Sequence, residues 1–286
     1  MRMPIVVLAL RAGVLALTLG AAIASVSPAR AETSPSGVTP GGALDFGSVK
    51  LPPAAPLQRN EAPEAATYER CMGLARSNPT AAQKLAQEWQ GRGGAHPAAH
   101  CFAVALLGLK QYKDAATRLE ALGQAMVHAP AELRAEVWGQ AGQAWMMASD
   151  PPRAYAADTA ALGFAPNDAD LLVDRAEAAG NAGWFDKAAG DLDQVLKAKP
   201  DRVDALVFRA SAYRRLGRLD EALADAERAV KMAPDSAPAL LERGDIRRLK
   251  GDADGARQDW LRVAVLAPGS AAATAAKGNI ERLDLK

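Results

Sequence analysis

Pro166, Pro200, Pro234 and Pro268 stand 34 residues apart. One series of that kind can arise by chance, but other residues keep the same step in other phases. Ala154, Ala188, Ala222 and Ala256 form one such series, and Gly142, Ala176, Ala210 and Gly244 another. Trp138, Leu172, Leu206 and Leu240 form a third, and Gly183, Gly217 and Gly251 a fourth. A period of this length restricts the chain to stacked supersecondary units, each covering the apolar face of its neighbour.

The residue types within one period say what the unit is. A large apolar residue followed four positions later by a small one fits a helix that a second helix approaches closely. The Gly of the fourth series ends that helix, because Gly enters the left-handed region without a Cβ penalty. Asp186, Asp220 and Asp254 follow three residues later and are placed to N-cap the second helix. That helix stops before the Pro, which disfavours helical backbone in the residue ahead of it. Asn167, Asp201 and Asp235 then begin the next unit. Strand-favouring runs are nearly absent beyond the N-terminus, so the fold class is all-α, with two antiparallel helices per period.

These residues resemble the tetratricopeptide repeat in their small residue, Gly, Ala and terminal Pro, with Leu216-Gly217-Arg218-Leu219-Asp220-Glu221-Ala222 as the fullest match. The resemblance covers 169–202, 203–236 and 237–270 most fully and extends to 135–168. There Ser149-Asp150-Pro151-Pro152 replaces the Gly, so a different turn is expected. Residues 64–134 read as degenerate repeats of the same type. In them Asn78-Pro79 opens a second helix, and Leu109 to Ala116 form an inter-helix turn whose following helix runs to His128. Residues 271–286, opened by Ser270, read as a capping helix. The resemblance implies a right-handed solenoid of about 13 helices over 64–284.

It also implies a non-enzymatic scaffold that takes a protein or peptide partner in a concave groove lined by the first helix of each unit. The matching groove positions are Glu136, Gly139, Gln143, Met146 and Met147, then Asp170, Val173, Glu177, Gly180 and Asn181. They continue through Asp204, Val207, Ser211, Arg214 and Arg215 to Pro238, Leu241, Asp245, Arg248 and Leu249. Arg214, Arg215 and Arg248 make a basic edge suited to an acidic segment, with a solvated charged face as the plain alternative. Some members of the family clamp a C-terminal carboxylate with Lys, Asn and Arg. The positions here hold Val173, Glu177, Phe208, Pro238 and Glu242, which argues against that clamp.

The first 31 residues carry Arg2, Arg11 and Arg30, no acid, and an apolar run from Ala12 to Val26. They end in Ala29-Arg30-Ala31, a small-x-small pattern that reads as a signal peptide cleaved after Ala31. An uncleaved anchor over Pro4 to Val26 is the competing reading, set against the cost of Arg11 within a span. The full chain carries a formal charge of +1. Losing three Arg leaves the mature chain mildly acidic, so neither nucleic acid nor an anionic membrane is an implied partner, and the membrane is met only through the signal peptide. Residues 32–63 hold six Pro and four Gly and read as a linker. The implied compartment is the bacterial periplasm, with a role in the cell envelope. A structural subunit of a larger envelope complex, or a metal- or ligand-binding protein, is the alternative function.

No phosphate loop, nucleophile elbow or His-Glu-x-x-His motif occurs, and no cofactor is implied. Cys71 and Cys101 are the only cysteines. In an exported protein, on the first helices of neighbouring repeats, they are expected to form a disulfide. Buried free thiols, or a zinc site with His96 and His100, are the alternatives. A last series pairs Arg175, Arg209 and Arg243 with Asp191, Asp225 and Asp259 across each inter-helix turn. That spacing predicts one partly buried ion pair per unit, within a repeat or with the following one.

Overall fold

A computed structural model describes residues 62–285. The signal-peptide reading of 1–31 and the linker reading of 32–63 lie outside these residues, except that Ala62 and Pro63 already belong to the first helix. The described residues fold into α1 (Ala62–Ser77), α2 (Pro79–Gln90), α3 (Ala95–Gly108), α4 (Tyr112–Ala125), α5 (Ala131–Met147), α6 (Pro151–Leu162) and α7 (Ala169–Ala182). They continue as α8 (Phe185–Ala198), α9 (Val203–Arg215), α10 (Leu219–Met232), α11 (Ala237–Leu249), α12 (Ala253–Leu266) and α13 (Ala271–Asp284). Among the described residues there is no strand. No helix there is long and apolar enough to cross a membrane.

Local chemistry sets the boundaries. Asn78 accepts from the Ala81 N–H ahead of Pro79, Asp150 accepts from Arg153 ahead of Pro151, and Ser270 accepts from Ala273. Gly183, Gly217 and Gly251 hold φ of 81°, 78° and 90° between paired helices. The turn at 149–152 does not differ from these, contrary to the expectation from its sequence. Ser149 takes φ 59°, and the Asp150 N–H bonds to the Trp145 carbonyl as Trp184 does to Ala179 and Arg218 to Tyr213. Lys110 does the same between α3 and α4. Here the packing of two helices imposes the backbone on a residue that does not prefer it.

Two further expectations are corrected. Asp186, Asp220 and Asp254 are not N-caps, because the helices start earlier, after Trp184, Arg218 and Asp252. The three acids occupy the first turn, where they complement the helix dipole. Helix α4 ends at Ala125 rather than His128, as the chain turns at Met126, whose side chain is buried in the core.

Six helix hairpins stack in sequence, and α13 closes the last against α11 and α12. Successive first helices touch, as in α5–α7, α7–α9, α9–α11 and α11–α13, whereas no two successive second helices pack as closely. Closer spacing on one side curves the stack, so the first helices line the concave face. Small residues permit the approach: a Cβ on Gly244 would come within 2.6 Å of the Trp260 ring, and one on Gly123 within 2.7 Å of Trp138. Cys71 and Cys101 are disulfide-bonded at a Cα separation of 6.1 Å and tie α1 to α3. Between units, Asn167, Asp201 and Asp235 accept from Gln194, Arg228 and Arg262 on the second helix of the unit that follows.

Candidate functional site: the concave face

The first helices present their groove positions at four-residue and three-residue spacings, but these side chains are not equally available. Val173 and Val207 are buried, and Gly139 is packed against Leu171. Gln143 donates to Asp174 on the next first helix at 3.1 Å. Arg214 lies against α11, donating from Nε and Nη2 to the Glu242 carboxylate at 2.6 and 3.1 Å. It therefore belongs to the seam between α9 and α11 and leaves the basic edge to Arg215 and Arg248. Both are exposed. Arg215 stacks over Phe185, and Leu249 beside Arg248 is 44% exposed. Met146, Met147, Glu177, Asn181 and Ser211 are half-buried along the same face.

A polar seam runs between the first helices. The Tyr68 hydroxyl and the Gln140 side chain contact the two ring nitrogens of His100 at 2.7 Å each, and Gln140 donates on to Glu136. Burial holds His100 below the ordinary imidazole range, opposed only by the Gln140 contact. The ring is thus neutral, with Nε2–H donating to Gln140 and Nδ1 accepting from Tyr68. Burial also raises the Glu136 carboxyl. At the other end, Asp245 accepts from Trp260 of α12 and Asn279 of α13 at 3.1 and 2.7 Å. Burial pushes its carboxyl up to about 6, against the pull of the Arg214 guanidinium.

The recurrent Arg–Asp pairs all form, and each closes within its own repeat. Arg175, Arg209 and Arg243 donate from Nε and Nη2 to Asp191, Asp225 and Asp259 over 2.6–2.9 Å. The fork geometry of guanidinium matches both carboxylate oxygens, which is why Arg rather than Lys serves here. The remaining nitrogen reaches backward: Arg209 Nη1 meets Asp193 at 2.7 Å, and Arg175 Nη1 meets the Thr159 hydroxyl at 3.4 Å. One Arg thereby braces the second helices of two consecutive units. The unit at 135–168 holds Ala141 and Ala157 at these positions and has no such brace.

The disulfide removes both thiols from the alternative zinc set, and His100 is engaged by Tyr68 and Gln140 while His96 is exposed. Among the described residues no cluster of three metal-ligating side chains occurs. The polar seam escaped sequence reasoning because its partners lie on different first helices at spacings of 28 to 40 residues. One signal was legible: Asp158 shares its place in the period with Leu192, Ala226 and Trp260, all of them buried.

The sequence model of the tetratricopeptide repeat matches residues 173–237 and again 209–273. This is a tetratricopeptide-repeat protein. No curated protein matches the chain in sequence. Among solved structures it resembles a tetratricopeptide repeat protein from Parabacteroides merdae ATCC 43184, at 13% identity over 77% of this chain and 88% of that one, with a TM-score of 0.65. MamA from Desulfovibrio magneticus RS-1, residue 41 to its end, is 19% identical over 60% of this chain and 94% of its own, with a TM-score of 0.53. YrrB, a tetratricopeptide-repeat protein with an unusual peptide-binding site, is 17% identical over 67% and 96%, with a TM-score of 0.51. At these identities the likeness is one of tetratricopeptide-repeat fold alone.

Proposed function

We propose that this tetratricopeptide-repeat protein is a non-enzymatic adaptor that holds a segment of a protein partner along its concave face. The observation that carries the reading is the division of labour among the groove side chains. Arg214, Glu242, Gln143 and Asp174 are consumed by the seam, while Arg215, Arg248 and Leu249 stand exposed and Asn181 and Ser211 line the same face. Two exposed guanidiniums beside an exposed leucine favour an acidic segment with an apolar side chain. That YrrB carries a peptide-binding site on the same fold supports the binding of a peptide segment. The adaptor is exported by cleavage after Ala31 and works in the periplasm, in assembly or maintenance of the cell envelope.

The charge reversal Arg215→Glu with Arg248→Glu tests this. Crosslinking with mass spectrometry on exported protein should show partner capture falling more than about tenfold, since two charge-assisted contacts are lost. Undiminished capture by the reversed protein contradicts the groove reading. Sequencing the exported chain should place its N-terminus at Glu32; a retained Met1 on membrane-bound protein contradicts the cleavage.

A second reading, a structural subunit assembled through the convex face, has one observation in its favour. On α12, Leu261 and Val265 are 51% and 78% exposed. The positions 34 residues earlier carry Glu227 and Lys231, and those before them Asp193 and Lys197. Capture lost on Leu261→Asp and kept on groove reversal would favour it.

A further inference from the structure

Asp158 of α6 shares its place in the 34-residue period with Leu192, Ala226 and Trp260, all buried core residues. It sits as they do: a Cβ on Gly142 of α5 would fall 1.9 Å from Asp158 Oδ1, as one on Gly244 would meet the Trp260 ring. Only 1% of Asp158 is exposed, and neither carboxyl oxygen has a hydrogen-bond partner. A carboxyl group thus occupies the joint between the α5–α6 and α7–α8 units, where its counterparts are Leu192, Ala226 and Trp260.

The groups facing it make ionisation there expensive. From α7 come Asp174, Arg175 and Glu177, from α8 comes Asp191, and α5 meets it with Gly142. Arg175 is the one cation among these. Its guanidinium is already engaged by both oxygens of Asp191 and by Thr159. Gln143 of α5, the residue after Gly142, gives its amide to Asp174. An ionised Asp158 would stand among three carboxylates, with the guanidinium of Arg175 committed elsewhere. The neutral acid loses far less on leaving water. Burial first, and Asp174 after it, raise the Asp158 carboxyl well above the usual carboxylate range, against the weaker pull of Arg175.

We propose that Asp158 is a proton-held latch in this joint: the neutral carboxyl keeps the two units closed, and its ionisation loosens them. The unfolded chain releases this proton near the ordinary carboxylate value, whereas the folded chain keeps it to higher pH. Between those two points the unfolded or opened state binds fewer protons, so the latch is full in acid and is lost as pH rises. Because α5 and α7 both line the concave face, the joint sets the curvature that a bound segment meets. The inference does not depend on what that segment is.

The test is hydrogen–deuterium exchange of the full chain between pH 5 and 8, corrected for the intrinsic exchange rate, in wild type, Asp158→Asn and Asp158→Leu. In the wild type the opening constant of α6 and α7 amides should rise with pH by up to about tenfold per unit. The α10 amides, with Ala226 at the matching position, serve as the reference within the same molecule and should rise less. Both variants lack the titrating group and should remove the excess slope, and either one that folds suffices for the comparison. Equal slopes in α6–α7 and α10 of the wild type, or an excess slope that survives in a folded variant, would overturn the proposal.

Discussion

Arg209 donates to Asp225 through two nitrogens and to Asp193 through the third, with its side chain 18% exposed and that of Asp225 10% exposed. Its hydrogen bonds to Asp225 and, after them, the charge of that carboxylate raise the guanidinium pKa further, against the opposing effect of burial. Fully exposed pairs contribute little, whereas charged hydrogen bonds shielded from water contribute about 1.5 to 3 kcal/mol. The cycle of Arg209→Ala, Asp225→Ala and the double variant should therefore give a coupling of about 2 kcal/mol in urea unfolding. Coupling near zero would make the pair surface ornament. This contact was legible because both members repeat with the same step and lie 16 residues apart on either side of one turn. The Arg214–Glu242 pair was not, since it joins helices of different units and neither residue recurs with its partner. Asp158 broke an otherwise apolar register in plain view, but its lack of a donor is a property of three dimensions.

Helices here are held by small residues at their crossings, and glycine separates the two effects that govern such sites. Ala exceeds Gly in helix propensity by about 1 kcal/mol. Gly190 lies exposed in α8 with open space where a Cβ would stand, so Gly190→Ala should stabilise the fold by about 0.5 to 1 kcal/mol. Gly244 in α11 faces the Trp260 ring at 2.6 Å, so Gly244→Ala should destabilise by about 1 to 3 kcal/mol despite the same propensity gain. Chemical denaturation of both variants checks this, and effects of one sign would contradict the close-approach account. The existence and order of the helices followed from the period, because Pro and Gly mark helix ends by backbone sterics alone. Details governed by tertiary packing did not follow. Ser149 and Lys110 adopt the left-handed turn that glycine makes elsewhere, and α4 stops where Met126 turns into the core.

Across the whole molecule, stability is distributed unit by unit, with a different device at each end. The Cys71–Cys101 bond spans 30 residues in the least regular units, where loop closure is worth about 3 to 4 kcal/mol on the chain-entropy estimate. At the other end α13 places Ala273 and Ala276 in the last interface and Asn279 on Asp245, so the final hairpin does not end in an open apolar face. Between them the curvature set by touching first helices gives the two faces distinct chemistry, and the proposed function follows from that asymmetry. Photo-crosslinking residues placed one per unit compare the faces most directly: Asn181, Arg215 and Leu249 on the concave side against Gly190, Ala224 and Gln258 on the second helices. The predicted result is partner adducts from the concave set and none above background from the second-helix set. Adducts confined to the second helices, with the concave set silent, would contradict it.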